Sequence, residues 1–118
     1  MRDCSYMQDS ITSKAPVSET KPLAAETVEA LAETFRILGD PTRVRIVDAL
    51  AGAELCVHEI ADRVEISESA VSHQLRLMRT MRIVRGRREG RCVYYTLDDQ
   101  HVLSLFQQGL RHVTEDGR

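Results

Sequence analysis

"CVHEIADRVEISESAVSHQLRLMRTMR" (residues 56–82), followed without a break by "IVRGRREGRCVYYTL" (83–97), decides the fold. Ile60 and Val64 mark the apolar side of one short helix, and Val71, Leu75 and Met78 that of a second, with Ser67 placed to cap it. Two helices broken by a tight turn outline a helix-turn-helix, although Glu65 stands in the turn where glycine is the usual residue. In the second stretch Cys92, Tyr94 and Thr96 face one way and Val93, Tyr95 and Leu97 the other, after a turn at Glu89 and Gly90. That alternation predicts a β-hairpin with arginines at its tip. A helix-turn-helix followed by a basic hairpin is a winged helix.

Upstream, Val28, Leu31, Phe35 and Leu38 recur at intervals of three and four, which predicts an amphipathic helix from Ala24 to near Gly39. "GDPTRVRIVDALAG" predicts another, with Asp40 as N-cap, Pro41 at its first position and Gly52 after its last turn. Downstream, a final helix is expected from about Asp99 to Thr114. Residues 1–22 are polar, carry Pro16 and Pro22 and show no apolar period, so they are read as a flexible arm before one domain over 23–118. The expected class is mostly α with a β-hairpin wing, an α+β winged helix-turn-helix.

The 118 residues suffice for one modest core. No apolar run reaches the roughly 18 residues of a membrane span, and the N-terminus lacks a signal-peptide pattern, so the expected compartment is the cytoplasm and no membrane partner is foreseen. Cys4, Cys56 and Cys92 are an odd count, which favours free thiols or metal ligands over a disulfide framework. The net charge of −2 hides an asymmetry: from Arg76 to Arg91 there are seven arginines and one glutamate, a local +6, which leaves −8 elsewhere. A basic patch on an acidic body is an address for phosphate.

Off the buried stripe of the second helix stand Ser69, Ser72, His73, Gln74, Arg76 and Arg79, beside the capping Ser67. Hydroxyls, an amide and guanidinium groups are the types that hydrogen-bond base edges and phosphates in a major groove. Arg85, Arg87, Arg88 and Arg91 on the hairpin would meet backbone phosphates or a minor groove. The partner expected is double-stranded DNA; the plainer alternative is a solvated helix face beside a basic loop.

The last helix, within "DDQHVLSLFQQGLRHVTED", sets His101 and His112 eleven residues apart, about 16 Å along one face. Zinc ligands bond at about 2.0–2.2 Å, so the two histidines cannot share an ion within one chain. Asp99 with His101, and His112 with Glu115, read instead as two half-sites. Two copies of the helix packed antiparallel across a two-fold axis would join unlike half-sites into two four-donor centres, with Val102, Leu105, Phe106 and Leu110 as the seam. Oxygen and nitrogen donors in a tetrahedral set suit zinc or cobalt. A set closed by four side chains leaves no position to activate water, so no enzyme activity and no small organic substrate are expected.

"ELCVHEIADRVEISESAVSHQLRLMRTMRIVRGRREGRCVYYTL" resembles the core of the ArsR/SmtB family of metal-sensing winged-helix repressors, with "SESAVSHQL" very close to that family's recognition helix. The similarity runs from about Ala24 to Arg118 and is nearest to SmtB-like zinc sensors. It implies a homodimer that binds an inverted-repeat operator and leaves it when metal binds. Asp99, His101, His112 and Glu115 match the fifth-helix zinc site of such sensors residue by residue. "ELCVHE" matches a second metal motif of the family but departs from it, since the usual second cysteine is His58. The resemblance then implies a softer set of Cys56, His58, Glu59 and the partner chain's Cys4, for zinc, cadmium or lead. Cys92 is assigned to packing. Two rival readings are a thiol-based redox repressor acting through Cys4 and Cys56, and a cytosolic metal buffer or chaperone.

Overall fold

A computed structural model describes residues 21–115, so Cys4 lies outside the described residues. The described residues divide into two units, one ending at Ala32 and the other beginning at Glu33. The first contains the beginning of helix α1 (Ala25–Leu38), where Val28 and Leu31 are exposed, as is Leu23 just before it.

The second unit runs from the end of α1 through α2 (Pro41–Ala51), β1 (Leu55–Cys56), α3 (Val57–Val64), α4 (Glu68–Thr80), β2 (Val84–Glu89), β3 (Cys92–Leu97) and α5 (Gln100–Glu115). Its helix starts follow the capping chemistry of the sequence. The Asp40 carboxylate accepts from Arg43 N–H at 3.1 Å, and the Ser67 hydroxyl from Ala70 N–H at 3.1 Å, each satisfying a donor that the first turn leaves unpaired. The buried stripes meet in one core: Ile46 and Val47 of α2, Ile60 of α3, and Val71, Leu75 and Met78 of α4, all at 2% exposure or less. Ile83 and Val84 close it from the entry of the wing.

The turn between α3 and α4 is made by Glu65 itself, at φ 62 and ψ 44, with its N–H bonded to Ala61 O. A left-handed C-cap of this kind usually carries glycine. The wing strands pair antiparallel from Val84↔Leu97 to Glu89↔Cys92, so the turn residues are Gly90 and Arg91, one position beyond the expected pair, with Gly90 at φ 63. Gly86 is required by close approach, because a Cβ there would lie 2.9 Å from Val93 Cγ1 and 3.1 Å from Tyr95 Cε1.

One feature differs from the sequence reading. Leu55 and Cys56 form a third strand beside β3, giving the order β1-β3-β2, where only a helix start was expected. The apolar face of α5 buries no residue. Val102 and Phe106 rest half-buried on the core, whereas Leu105, Leu110 and Val113 are exposed. They line a groove of about 450 Å³ with Phe35, Val44 and Gly109. Among the described residues no helix is long and apolar enough to cross a membrane.

Candidate DNA-reading face and metal-ligand helix

Burial of Val71, Leu75 and Met78 turns the opposite side of α4 outward, so Ser69, His73, Arg76 and Arg79 are exposed and Ser72 is half-buried. Ser67 caps the helix and lies 3.3 Å from the Ser69 hydroxyl. Gln74 is drawn inward: its side-chain carbonyl accepts from Arg43 Nε at 2.7 Å, and Arg43 Nη1 also donates to Ile37 O at 3.3 Å. One α2 arginine therefore ties the reading helix to the end of α1.

The hairpin arginines divide into two kinds. Arg88 and Arg91 are exposed near the tip, and Arg85 donates to Asp98 O at 2.6 Å. Arg87 lies back across the sheet. Its Nε and Nη2 hold both oxygens of Glu54 at 2.9 and 2.8 Å, its Nη1 holds Glu89 at 2.8 Å, and its guanidinium carbon stands 5.5 Å from the Tyr94 ring centroid. The Arg87 hydrogen bond holds the Glu54 carboxyl below its ordinary value. This clamp joins the residue before β1 to β2 and lies over the central strand, so Arg87 helps to set the wing's geometry.

On α5 the Asp99 and His101 side chains meet within one chain. Asp99 caps the helix, one oxygen accepting from Val102 N–H at 3.1 Å, while the other lies 3.4 Å from His101 Nδ1. The Val102 bond foremost, with His101 behind it, holds the Asp99 carboxyl below its ordinary value, so it is ionised at neutral pH. Two bonds of about 2.1 Å at a tetrahedral angle put their donors about 3.4 Å apart, so this pair is already at ligand spacing. His112 and Glu115 stand on the last turn, both exposed, with Glu115 in an ion pair with Arg111 at 3.3 Å. Among the described residues no three donors converge within one chain.

The softer set is arranged differently. Glu59 accepts from Cys56 N–H at 3.0 Å, which lowers its carboxyl from the ordinary value. His58 turns to Glu68 at 3.0 Å and Asp62 at 3.8 Å, and the Glu68 bond is the main cause of its raised pKa. Cys56 is half-buried and Cys92, expected to pack, is exposed. The reason is register: Cys92 faces outward with Tyr94, while Tyr95 and Leu97 face the core.

A buried helix pair joined by a left-handed turn, with an exposed polar helix face followed by a clamped basic hairpin, defines a winged helix-turn-helix DNA-binding protein. Residues 40–85 match the bacterial regulatory protein, arsR family. The chain is 46% identical over 93 residues to a transcriptional repressor SmtB homolog of Synechocystis, covering 79% of this chain and 70% of that one. It is 41% identical to a cadmium resistance transcriptional regulatory protein CadC homolog of Staphylococcus aureus, covering 80% and 79%. A solution structure of the homodimeric winged helix-turn-helix DNA-binding domain of a Mycobacterium bovis protein superposes with a TM-score of 0.71 at 26% identity, covering 80% and 91%. The chain belongs to the arsR family of bacterial regulatory proteins, and is a transcriptional regulator rather than an enzyme.

Proposed function

We propose that the chain is a metal-responsive transcriptional repressor of the cytoplasm, whose apo homodimer binds an inverted-repeat operator and is released when Zn(II) binds. The observation that carries this reading is α5: an exposed Asp99–His101 pair at 3.4 Å at one end, His112 and Glu115 at the other, and exposed Leu105, Leu110 and Val113 between them. A second copy docked through the groove beside α5 buries that apolar face. It also brings the first half-site of one protomer to the second half-site of its partner. The donors fit the ion, since a carboxylate and an imidazole at tetrahedral spacing suit zinc or cobalt, and Glu115 need only exchange Arg111 for the metal.

Asp99, His101, and the partner's His112 and Glu115, would hold the ion; its chemistry is a charged, directional cross-link between protomers. Recognition helices must stand about 34 Å apart to enter successive major grooves, so a small rotation of the dimer misplaces both. Metal then weakens DNA binding by the factor by which DNA weakens metal binding, a coupling of about 1–3 kcal/mol. Ser69, His73, Arg76 and Arg79 read the groove, with Arg88 and Arg91 on phosphates. A softer set of Cys56, His58, Glu59 and the partner's Cys4 would take cadmium or lead, once His58 leaves Glu68.

The test is fluorescence anisotropy on an operator duplex from the protein's own promoter, titrated with zinc, for wild type and His101→Ala/His112→Ala. Zinc should raise the wild-type dissociation constant tenfold or more, about 1.4 kcal/mol, and leave the double variant bound. Release of the double variant would move the switch to the softer set; absence of wild-type binding would overturn the repressor reading.

A further inference from the structure

The outward face of the small sheet carries a feature that DNA binding and the α5 half-sites do not use. Cys56 is directly opposite Tyr94 in the β1–β3 register, and Cys92 lies two residues before Tyr94 on the same strand. Residues opposite one another, and residues two apart along a strand, share a face. Cys56 and Cys92 are therefore diagonal neighbours on the face that Tyr94 shares. Both are free thiols, one half-buried and one exposed.

Diagonal neighbours on one face stand about 7–8 Å apart at Cα, with Cβ atoms somewhat closer. A disulfide needs Cβ atoms about 3.8 Å apart, so this spacing does not suit an S–S bond without backbone movement. Two thiolates in line on one ion, at a metal–sulfur bond of about 2.3 Å, stand about 4.6 Å apart, and a Cβ–Sγ bond added at each end spans the diagonal.

We propose that Cys56 and Cys92 form a two-thiolate site for a soft cation that accepts collinear sulfur ligands, Cu(I) or Hg(II), tying β1 to the wing strand β3 beside Tyr94. Binding releases one proton from each thiol to solvent, forms two metal–sulfur bonds and moves no electrons; thiolates select soft ions of this kind. The bridge fastens the wing to the residue that opens α3, on the face already crossed by the Glu54–Arg87–Glu89 clamp. It does not depend on the zinc reading of α5. It competes for Cys56 with the set that uses the partner's Cys4.

The test equilibrates full-length reduced protein with mercuric chloride under a fixed excess of 2-mercaptoethanol, then removes the competitor by rapid desalting and measures the mercury held per chain and the protein thiols left reactive to a disulfide reagent. Wild type and Cys4→Ser should each take one ion per chain and lose two reactive thiols. Cys56→Ser and Cys92→Ser should each lose at least tenfold in apparent affinity, with operator binding by Cys92→Ser as the control for folding. If Cys92→Ser keeps wild-type affinity while Cys4→Ser loses it, the ion bridges Cys56 to the partner arm and the proposal falls. Two ions per chain, each masking one thiol independently, would also overturn it.

Discussion

Helices α4 and α5 have comparably regular apolar stripes, yet α4 buries Val71, Leu75 and Met78 while α5 buries nothing. The difference is in what each helix packs against. α4 lies across α3 and the start of the wing, so its stripe is covered by its own chain. α5 rests on the core through Val102 and Phe106 and leaves Leu105 and Leu110 outward. Periodicity reports that a face must be covered; it does not report which molecule covers it.

The sharpest way to break that comparison is to truncate one leucine from each helix. Leu75→Ala opens a cavity in a closed core and should cost about 2–5 kcal/mol in urea unfolding at every protein concentration. Leu110→Ala should leave the unfolding of dilute protein almost unchanged and instead raise the dimer dissociation constant in sedimentation equilibrium by tenfold or more. Equal effects of the two variants on dilute protein would mean that α5 contributes to the chain's own core as α4 does.

Asp99 offers a second separation, because one residue serves both helix capping and the proposed half-site. Asn caps about as well as Asp, so Asp99→Asn should retain the helix by circular dichroism while zinc affinity falls about tenfold, or 1.4 kcal/mol. Ser67→Ala on α4, which removes a cap and no metal donor, should cost about 1 kcal/mol of stability and leave zinc affinity unchanged. Equal loss of zinc affinity in both would make the Asp99 effect structural.

What could be read in the sequence follows the range of the interactions. Caps at Asp40 and Ser67, the α4 stripe and the hairpin alternation are local, and each appears where the residues predicted it. Strand β1 was missed because two residues carry no period; its pairing is dictated by the open edge of β3. The Arg87–Glu54 and Arg43–Gln74 contacts join residues 33 and 31 positions apart, and no spacing rule reaches across such distances. For the same reason Gln74 and Arg87 looked like plain DNA contacts in the sequence, while the fold gives each an internal partner. The proposed convergence of the two α5 half-sites would need a second chain, which one sequence can imply only through the matched donor pairs.

Glu65 sharpens the account of the helix-turn-helix itself. At φ 62 it holds a conformation that costs an ordinary residue about 1 kcal/mol or more relative to glycine. Glu65→Gly should therefore stabilise the fold by about 0.5–1 kcal/mol, the strain relief being partly offset by glycine's greater freedom when unfolded. A loss of stability in urea would mean that the Glu65 side chain makes a favourable interaction that outweighs the strain.

The smallest effect is expected at the other contact between α3 and α4, where His58 and Glu68 are both more than half exposed. Glu68, with Asp62 beside it, raises the His58 pKa above its ordinary 6.5. A group raised on folding stabilises the protein fully below its unfolded value and loses that contribution as pH climbs through the folded value. Glu68→Gln should bring the His58 titration, followed by proton NMR of the ring, back toward 6.5. It should also narrow the stability difference between wild type and variant as pH rises past neutrality. A His58 titration unmoved by Glu68→Gln would leave Asp62 as its partner and make the α3–α4 contact purely apolar, held by Ile60, Val64 and Val71.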